Sequence, residues 1–350
     1  MNSTHDTLQI RDESNASAEE MGIRAKMKLR IVIVTPAPPG SRHGNRNTAQ
    51  RWARHLRASG YRCDIALEWD GCPTDLMIAL HARRSHASIV KWREAYPDWP
   101  LLLVLTGTDL YRDIRIDANA KQSMRLADRM VVLQEKGLDE LNAKLRAKTC
   151  VVFQSVVGVK RQAPPKRFFL ATVIGHLREE KDPFRACEAL KHLSKDENIR
   201  VVHLGGAMSP DYERQAGSLM QSEPRYRWLG ELDHAAAMRW LARSHVMVIS
   251  SVMEGGAHVV SEAIAIGVPV IASNIPGNVG LLGDDYPGYF PVGDEKALAA
   301  LLFRAREDHR WLQSLQSMVK KRQSLVAPRT ERQVLKTLVT ELIGRGREYL

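Results

Sequence analysis

The sequence predicts an α/β protein built from two doubly wound, Rossmann-like domains facing a central cleft, and three observations point there. Short apolar runs of strand length alternate with stretches of helical periodicity along the chain. The alternation breaks at Val159–Arg167, where basic residues and the pair Pro164-Pro165 read as a linker, and then restarts. A chain of 350 residues has room for two such units at roughly 100–200 residues per domain.

The elements follow in order. Residues 1–27 are rich in Ser, Asn, Asp, Glu and Ala without a period and read as a mobile N-terminal extension. The first domain is expected over residues 28–160. It opens with the β-branched run Leu29–Val34 and the loop Thr35-Pro-Ala-Pro-Pro-Gly40, followed by a helix over Asn47–Ala58 that closes at Gly60. Strands are predicted at Cys63–Leu67, Leu76–Leu80, Leu101–Leu105, Met130–Leu133 and Val151–Gln154. The second domain, residues 161–327, repeats the cycle with strands at Phe169–Ile174, Arg200–Leu204, Tyr226–Leu229, Val246–Ile249 and Pro269–Ala272. Residues 328–350 read as a C-terminal helix after a turn at Pro328, returning toward the first domain. Doubly wound sheets bind ligands beyond the carboxyl ends of their strands, so the loops there are where chemistry is sought.

Composition narrows the classes. With 44% hydrophobic residues the chain can bury a core, and 26% charge of interspersed sign argues against a disordered or fibrous protein. No apolar run approaches the ~20 residues of a membrane-spanning helix, and the N-terminus lacks the apolar stretch of a signal peptide, so a cytoplasmic protein is expected. Cys63, Cys72, Cys150 and Cys187 are scattered, with no Cys-x-x-Cys pair and no His at ligand spacing; neither a metal site nor a disulfide frame is expected. The net charge of +11 divides into −2 over residues 1–27, +9 over 28–160 and +4 over 161–350. The first domain is therefore the expected seat of an anionic partner.

The strongest local signal is Ser250-Ser-Val-Met-Glu254-Gly-Gly-Ala-His-Val-Val-Ser-Glu262. A strand ends at Ser250, Gly255 and Gly256 permit close approach to the backbone, and a helix begins near Ala257. Free N–H groups at such a helix start suit a phosphate or diphosphate. Glu254 and Glu262 are placed to face one cleft and accept hydrogen bonds from sugar hydroxyls; the plainer alternative is a capping glutamate and a solvated one.

Glu254-x7-Glu262 followed by Ala-x3-Gly-x-Pro-Val-Ile-Ala resembles the nucleotide-sugar site of family-four-like glycosyltransferases with the two-domain B-type fold. That resemblance implies that Glu262 holds the ribose of the donor and that Glu254 touches the donor sugar. Gly175-His-Leu-Arg-Glu-Glu-Lys181-Asp is similar to the family's Gly-Arg-Leu-x-x-x-Lys element, whose basic residues neutralise the leaving diphosphate. His176 stands where the family has Arg, so Lys181 is the residue carried over directly and Arg178 is a source of the missing charge. Trp228-Leu-Gly-Glu-Leu232 resembles the segment lining the nucleotide base. The donor group expected from the resemblance is Gly40, His176, Arg178, Lys181, Leu232, Glu254, Gly255, Gly256, Ala257, His258 and Glu262; the catalytic group is Lys181, Glu254, His81 and Arg178.

Six longer segments carry a narrower resemblance: Thr35–Thr48, Ala79–His86, Leu105–Arg112, Gly175–Phe184, and Ile275–Gly283 with Tyr286–Phe290. Together they are similar to the selenosugar synthases of selenoneine biosynthesis, from about Lys28 to the C-terminal helices. The resemblance implies transfer of a sugar, typically N-acetylglucosamine, from its UDP carrier to selenophosphate with formation of a carbon–selenium bond, with no cofactor.

The residues bear on that expectation independently. Arg42, His43, Asn45 and Arg46 in the first loop, with His81, Arg83, Arg84 and His86 after Leu80, form a wall rich in cations and strong donors. A small, multiply charged acceptor anion suits such a wall, whereas a neutral sugar does not. The acceptor group is thus Arg42, His43, Asn45, Arg46, Arg83, Arg84 and Thr108. Asp109, in Thr106-Gly-Thr-Asp109, either lines the cleft or caps the following turn. The rival reading is an ordinary glycosyltransferase for lipopolysaccharide or glycolipid assembly, its basic first domain resting on anionic membrane; Trp52 and Trp92 stand singly at helical positions and read as packed rather than interfacial. Nucleic acid is not an expected partner, because no aromatic–basic interleaving accompanies the charge.

Overall fold

The computed structural model describes residues 28–41 and 44–347, with side chains to residue 344. The expected extension at 1–27, the acceptor residues Arg42 and His43, and the last residues of the C-terminal helix lie outside the described residues.

Two six-stranded, wholly parallel sheets form the frame. The first runs β2-β1-β3-β4-β5-β6, from β1 (Arg30–Val34), β2 (Arg62–Ala66), β3 (Leu76–Leu80), β4 (Leu101–Leu105), β5 (Arg129–Val132) and β6 (Thr149–Val151). The second runs β12-β11-β10-β7-β8-β9, from β7 (Phe169–Ile174), β8 (Ile199–Leu204), β9 (Tyr226–Trp228), β10 (Val246–Ile249), β11 (Val270–Ser273) and β12 (Tyr289–Phe290). Every residue of β3 and β4 is buried, as expected of a central strand covered on both faces, where an unbroken apolar run replaces alternation. The strand expected at Val151–Gln154 lies two residues earlier, at Thr149–Val151, and shares only Val151 with the expectation. Val152 still donates to Val132, but the chain then leaves the sheet and the Gln154 side chain enters the domain junction. β12, two residues long, is below the length at which a sequence pattern registers.

Strand order locates the clefts. In the first sheet the order reverses between β1 and β3, and in the second between β7 and β10, so the loops after these four strands diverge and leave a crevice at each switch point. Those loops begin at Thr35, His81, Gly175 and Ser250.

Helices cover both faces: α1 (Gly44–Ala58), α2 (His86–Ala95), α3 (Ala118–Leu126), α4 (Arg185–Leu190), α5 (Pro210–Ser222), α6 (His234–Ala242), α7 (His258–Ile266), α8 (Pro276–Leu282), α9 (Glu295–Glu307), α10 (His309–Lys321) and α11 (Pro328–Arg347). Trp52 of α1 and Trp92 of α2 are fully buried. Leu335, Leu338, Val339, Leu342 and Ile343 of α11 share a core with Trp52, Leu56 and the strands of the first sheet, so the chain crosses back to the domain in which it began.

A polar knot secures this crossing. The buried carboxylate of Glu331, in the first turn of α11, accepts from Arg51 Nε (2.9 Å), Trp52 Nε1 (2.8 Å), His55 Nε2 (3.2 Å), and both the backbone N (3.0 Å) and hydroxyl of Ser155. Arg51 also donates to Gln154 Oε1 (3.1 Å), whose Nε2 donates to the carbonyl of Gly256 (2.7 Å). One chain of hydrogen bonds therefore connects α11, α1, the segment after β6 and the Gly255-Gly256 loop. Among the described residues no helix is long and apolar enough to cross a membrane, and no cluster of His, Cys, Asp and Glu is arranged to hold a metal ion.

Candidate active site

The loops after β7 and β10 meet at the second switch point. Lys181 Nζ pairs with Glu254 Oε1, and Ser251 Oγ donates to the same oxygen (2.6 Å). Ser250 ties the two loops by donating to the carbonyls of Lys181 (3.1 Å) and Asp182 (2.8 Å). Behind Glu254, the α8 start is packed against its backbone: a Cβ on Gly277 would stand 2.0 Å from the Glu254 carbonyl oxygen. Asn278 Nδ2 donates to Ser273, whose hydroxyl donates to the Ser251 carbonyl (2.6 Å). The carboxylate is thus held from the side by Ser251 and Lys181 and from behind by α8.

α7 starts directly after this loop. Its N-cap is Ala257, which offers no side-chain acceptor, so its first N–H groups are left for water or an anionic ligand. Glu262, one and a quarter turns in, is buried rather than solvated. Its Oε1 accepts from His234 Nε2 of α6 (2.8 Å), with His258 Nε2 3.7 Å away. Glu254 and Glu262 therefore rest on different partners, and neither caps α7.

His176 does not stand in for the arginine it replaces. Its Nδ1 accepts from the backbone N of Gly206 (3.1 Å). Burial holds its pKa below the ordinary imidazole range, opposed by Glu231 and reinforced by Arg178 and Lys181, which leaves a neutral ring at neutral pH. Arg178 is half exposed, 3.7 Å from Glu180, and does not reach Glu254. Leu232 is half-buried against the second core, beside Trp228, whose Nε1 donates to the Gly205 carbonyl. Gly40 takes a left-handed φ of 79° in the loop after β1.

On the facing side, His81 follows β3 with φ 76°, a strained conformation for a residue with a Cβ and of the kind that collects at functional sites. Its ring is buried and Nε2 hydrogen-bonds Thr108 Oγ1 (3.1 Å). Burial lowers its pKa; Asp109 and Asp113 oppose this, Arg84 and Arg83 add to it. Asp109 is not the N-cap of the following turn. It accepts instead from the backbone N–H groups of Thr106 (2.9 Å), Gly107 (2.8 Å) and Ala82 (3.0 Å), tying together the loops after β3 and β4. Arg83 is not a free cation either, since its Nε donates to Asp113 (2.8 Å), a buried carboxylate that the sequence reading did not single out. The Arg84 side chain is exposed, and Asn45 lies in the first turn of α1. Arg46, next to it, keeps a buried Nε with no hydrogen-bond partner among the described residues.

The two half-sites touch. A Cβ on Gly255 would stand 2.1 Å from the carbonyl oxygen of Thr106 and 2.5 Å from the Gly107 Cα. Gly255→Ala is expected to force these backbones apart and to destabilise the protein by about 1–3 kcal/mol, the scale of overpacking. Chemical denaturation checks this, since the same substitution at a permissive loop position is neutral or stabilising. Sequence inspection missed Ser251, Asn278, Asp113 and His234. Only Ser251 had a local signal, its place beside Ser250 at a strand end.

Comparison with known proteins bears on the fold and the family rather than on single residues. Residues 159–324 match the family model for glycosyl transferases group 1. The chain is 26% identical over 160 residues to the UDP-Gal:alpha-D-GlcNAc-diphosphoundecaprenol alpha-1,3-galactosyltransferase of Escherichia coli, a match spanning 44% of this chain and 40% of that enzyme. It is 22% identical over 272 residues to glycosyltransferase 1 domain-containing protein 1 of Xenopus tropicalis, covering 70% of this chain and 79% of the relative. Among solved structures, the sucrose-phosphate synthase of Thermosynechococcus elongatus superposes with a TM-score of 0.74 at 16% identity, covering 91% of this chain and all of the other. Anabaena HepE in complex with UDP and glucose superposes with a TM-score of 0.71 at 14% identity, covering 89% of this chain and all of the other. These likenesses establish the two-domain B-type glycosyltransferase fold expected from the sequence.

Proposed function

We propose that this protein, whose residues 159–324 match the group 1 glycosyl transferase model and whose fold is of the B type, transfers a sugar, N-acetylglucosamine, from its UDP carrier to selenophosphate. The observation that carries the donor half is the Lys181–Glu254 pair beside the uncapped start of α7. Donor binding separates that pair: Lys181 turns to the diphosphate, Glu254 to the sugar hydroxyls, and the first N–H groups of α7 take further phosphate oxygens. The UDP-bound neighbour and the UDP-galactose enzyme among the relatives support a UDP carrier.

In the transfer step the bond from the anomeric carbon to the diphosphate oxygen breaks, the electron pair leaves with UDP, and the selenium lone pair forms the carbon–selenium bond. Charge develops on the departing diphosphate, where a fixed cation and helix-start N–H groups lower the barrier. Selenophosphate presents selenium as an anion already, so no strong general base is required. Water then cleaves the selenium–phosphorus bond to release phosphate and the selenosugar. The acceptor half rests on the basic first domain and on Arg46, whose buried Nε has no partner among the described residues and suits an oxyanion; neutral His81 serves to position. Asp113 tempers this wall by pairing Arg83, which leaves Arg46 as the stronger acceptor ligand.

Incubating the protein with UDP-N-acetylglucosamine and anaerobically generated selenophosphate is expected to yield a sugar carrying the selenium isotope pattern in mass spectrometry. UDP release without selenium on the sugar would sink the acceptor assignment and leave the donor assignment standing. A second reading, a lipid-linked acceptor, is favoured by the diphosphoundecaprenol enzyme among the relatives and by Ile116, 78% exposed immediately after Arg115. Under that reading the protein sediments with anionic liposomes at low salt and is released as salt rises.

A further inference from the structure

The carboxylate of Glu262 is buried within α7, yet its close hydrogen-bond donor is an exposed side chain on another helix. His234, the first residue of α6, has a side chain 70% exposed, against 7% for Glu262. Among the described residues its ring makes one hydrogen bond, the 2.8 Å contact from Nε2 to Glu262 Oε1. His258, one turn before Glu262 on α7, stays 3.7 Å from the same oxygen and keeps a buried Nδ1 with no partner among the described residues. A buried anion requires pairing; here the pairing comes from a ring that solvent surrounds on its other sides and that one torsional swing removes.

We propose that His234 is a displaceable cap on Glu262: it pairs the carboxylate until the vicinal hydroxyls of a nucleoside ribose take over, and it then swings out to solvent. The inference rests on the reading of Glu262 as the ribose ligand and adds a residue that this reading does not include. His234 is a positioning residue, acting through Glu262. The charged and titratable groups around it are Asp233, the N-cap of its own helix, and Glu262 and His258 of α7; His258 in turn faces Arg51 of α1 and Glu331 of α11.

The hydrogen bond to Glu262 raises the His234 pKa, burial opposes it, and the charges of Glu262 and Asp233 add to the rise. Displacement by ribose removes the Glu262 contribution, so UDP binding releases a proton. Affinity for UDP therefore climbs with pH between the ordinary imidazole value, about 6.5, and the raised value of the capped ring, and is flat outside that window.

UDP binding to the full chain, measured calorimetrically at about pH 6 and about pH 8, tests this with the wild type, His234→Ala and Glu262→Gln. The gain in affinity from the lower to the higher pH is expected to be several-fold larger in the wild type than in His234→Ala, within the limit of about tenfold per pH unit for one proton. His234→Ala should also bind UDP more tightly than the wild type at the lower pH. Ionisation of UDP itself is common to both proteins and cancels in the ratio. Equal ratios, with Glu262→Gln weakening UDP, overturn the cap and leave the ribose assignment intact. UDP binding indifferent to Glu262→Gln removes the ribose assignment and the cap with it. Should Glu262→Gln fail to fold, the ring resonances of His234 decide: saturating UDP lowers their titration midpoint if the cap leaves, and an unmoved midpoint overturns the proposal.

Discussion

Lys181→Ala is expected to lower turnover by about 10²–10³-fold, the scale for removing one preorganised group that stabilises charge on a leaving oxygen. Because that charge exists only as the bond breaks, kcat and kcat/KM should fall together, with the Michaelis constant for the donor much less affected. The fold should survive, since Lys181 ends a single 3-10 turn and is not part of either core, and Glu254 retains Ser251 as a donor. Glu254→Ala should be comparably damaging, by loss of grip on the sugar. The double variant should cost less than the product of the two single effects, because the residues are partners in one pair. Steady-state kinetics on the four proteins is the check; near-normal transfer by either single variant would remove the donor-site assignment.

Glu331→Ala is expected to destabilise the protein by about 3–5 kcal/mol, because it leaves Arg51 buried without its counter-charge and strands Trp52 Nε1 and the Ser155 donors. Denaturant titration should show this as a lower midpoint. The loss should also follow pH. Burial pushes the Glu331 pKa up, but the hydrogen bond from His55, the charge of Arg51 and the two donors of Ser155 outweigh it and hold the carboxyl at about 2. A depressed carboxylate contributes stability that is complete above its ordinary value near 4.5 and disappears as pH falls through about 2. Across that window a shift of this size amounts to about 3 kcal/mol, consistent with the cost of the substitution. The stability of Glu331→Ala should therefore fall less steeply with acid than that of the wild type. Parallel curves would show that Glu331 is not the group responsible.

Much of the fold was legible because central parallel strands are buried on both faces and betray themselves as apolar runs. Leu76–Leu80, Leu101–Leu105, Phe169–Ile174 and Val246–Ile249 have the bounds that the sequence predicts. Edge elements were less legible: β6 precedes the predicted run, most of which has already left the sheet, and β12 holds too few residues to show a period. In the candidate donor half, Glu254, Gly255, Gly256 and Glu262 were readable as neighbours because one strand–loop–helix unit carries them all, at spacings that local geometry imposes. Lys181 needed a second loop, brought beside the first by the reversal of strand order between β7 and β10.

Taken alone, the sequence determined the class of fold, the two domains and the identity of the residues on the cleft loops, since burial periodicity and loop chemistry are local properties of the chain. Only the tertiary structure decided which of those residues are paired. Glu331 meets Arg51 across 280 positions, His234 reaches Glu262 from a neighbouring helix, and Asp113 engages an arginine read as free. Hydrogen bonds and charges act across a few ångströms of space whatever the separation in sequence, so folding brings together partners that no local pattern encodes.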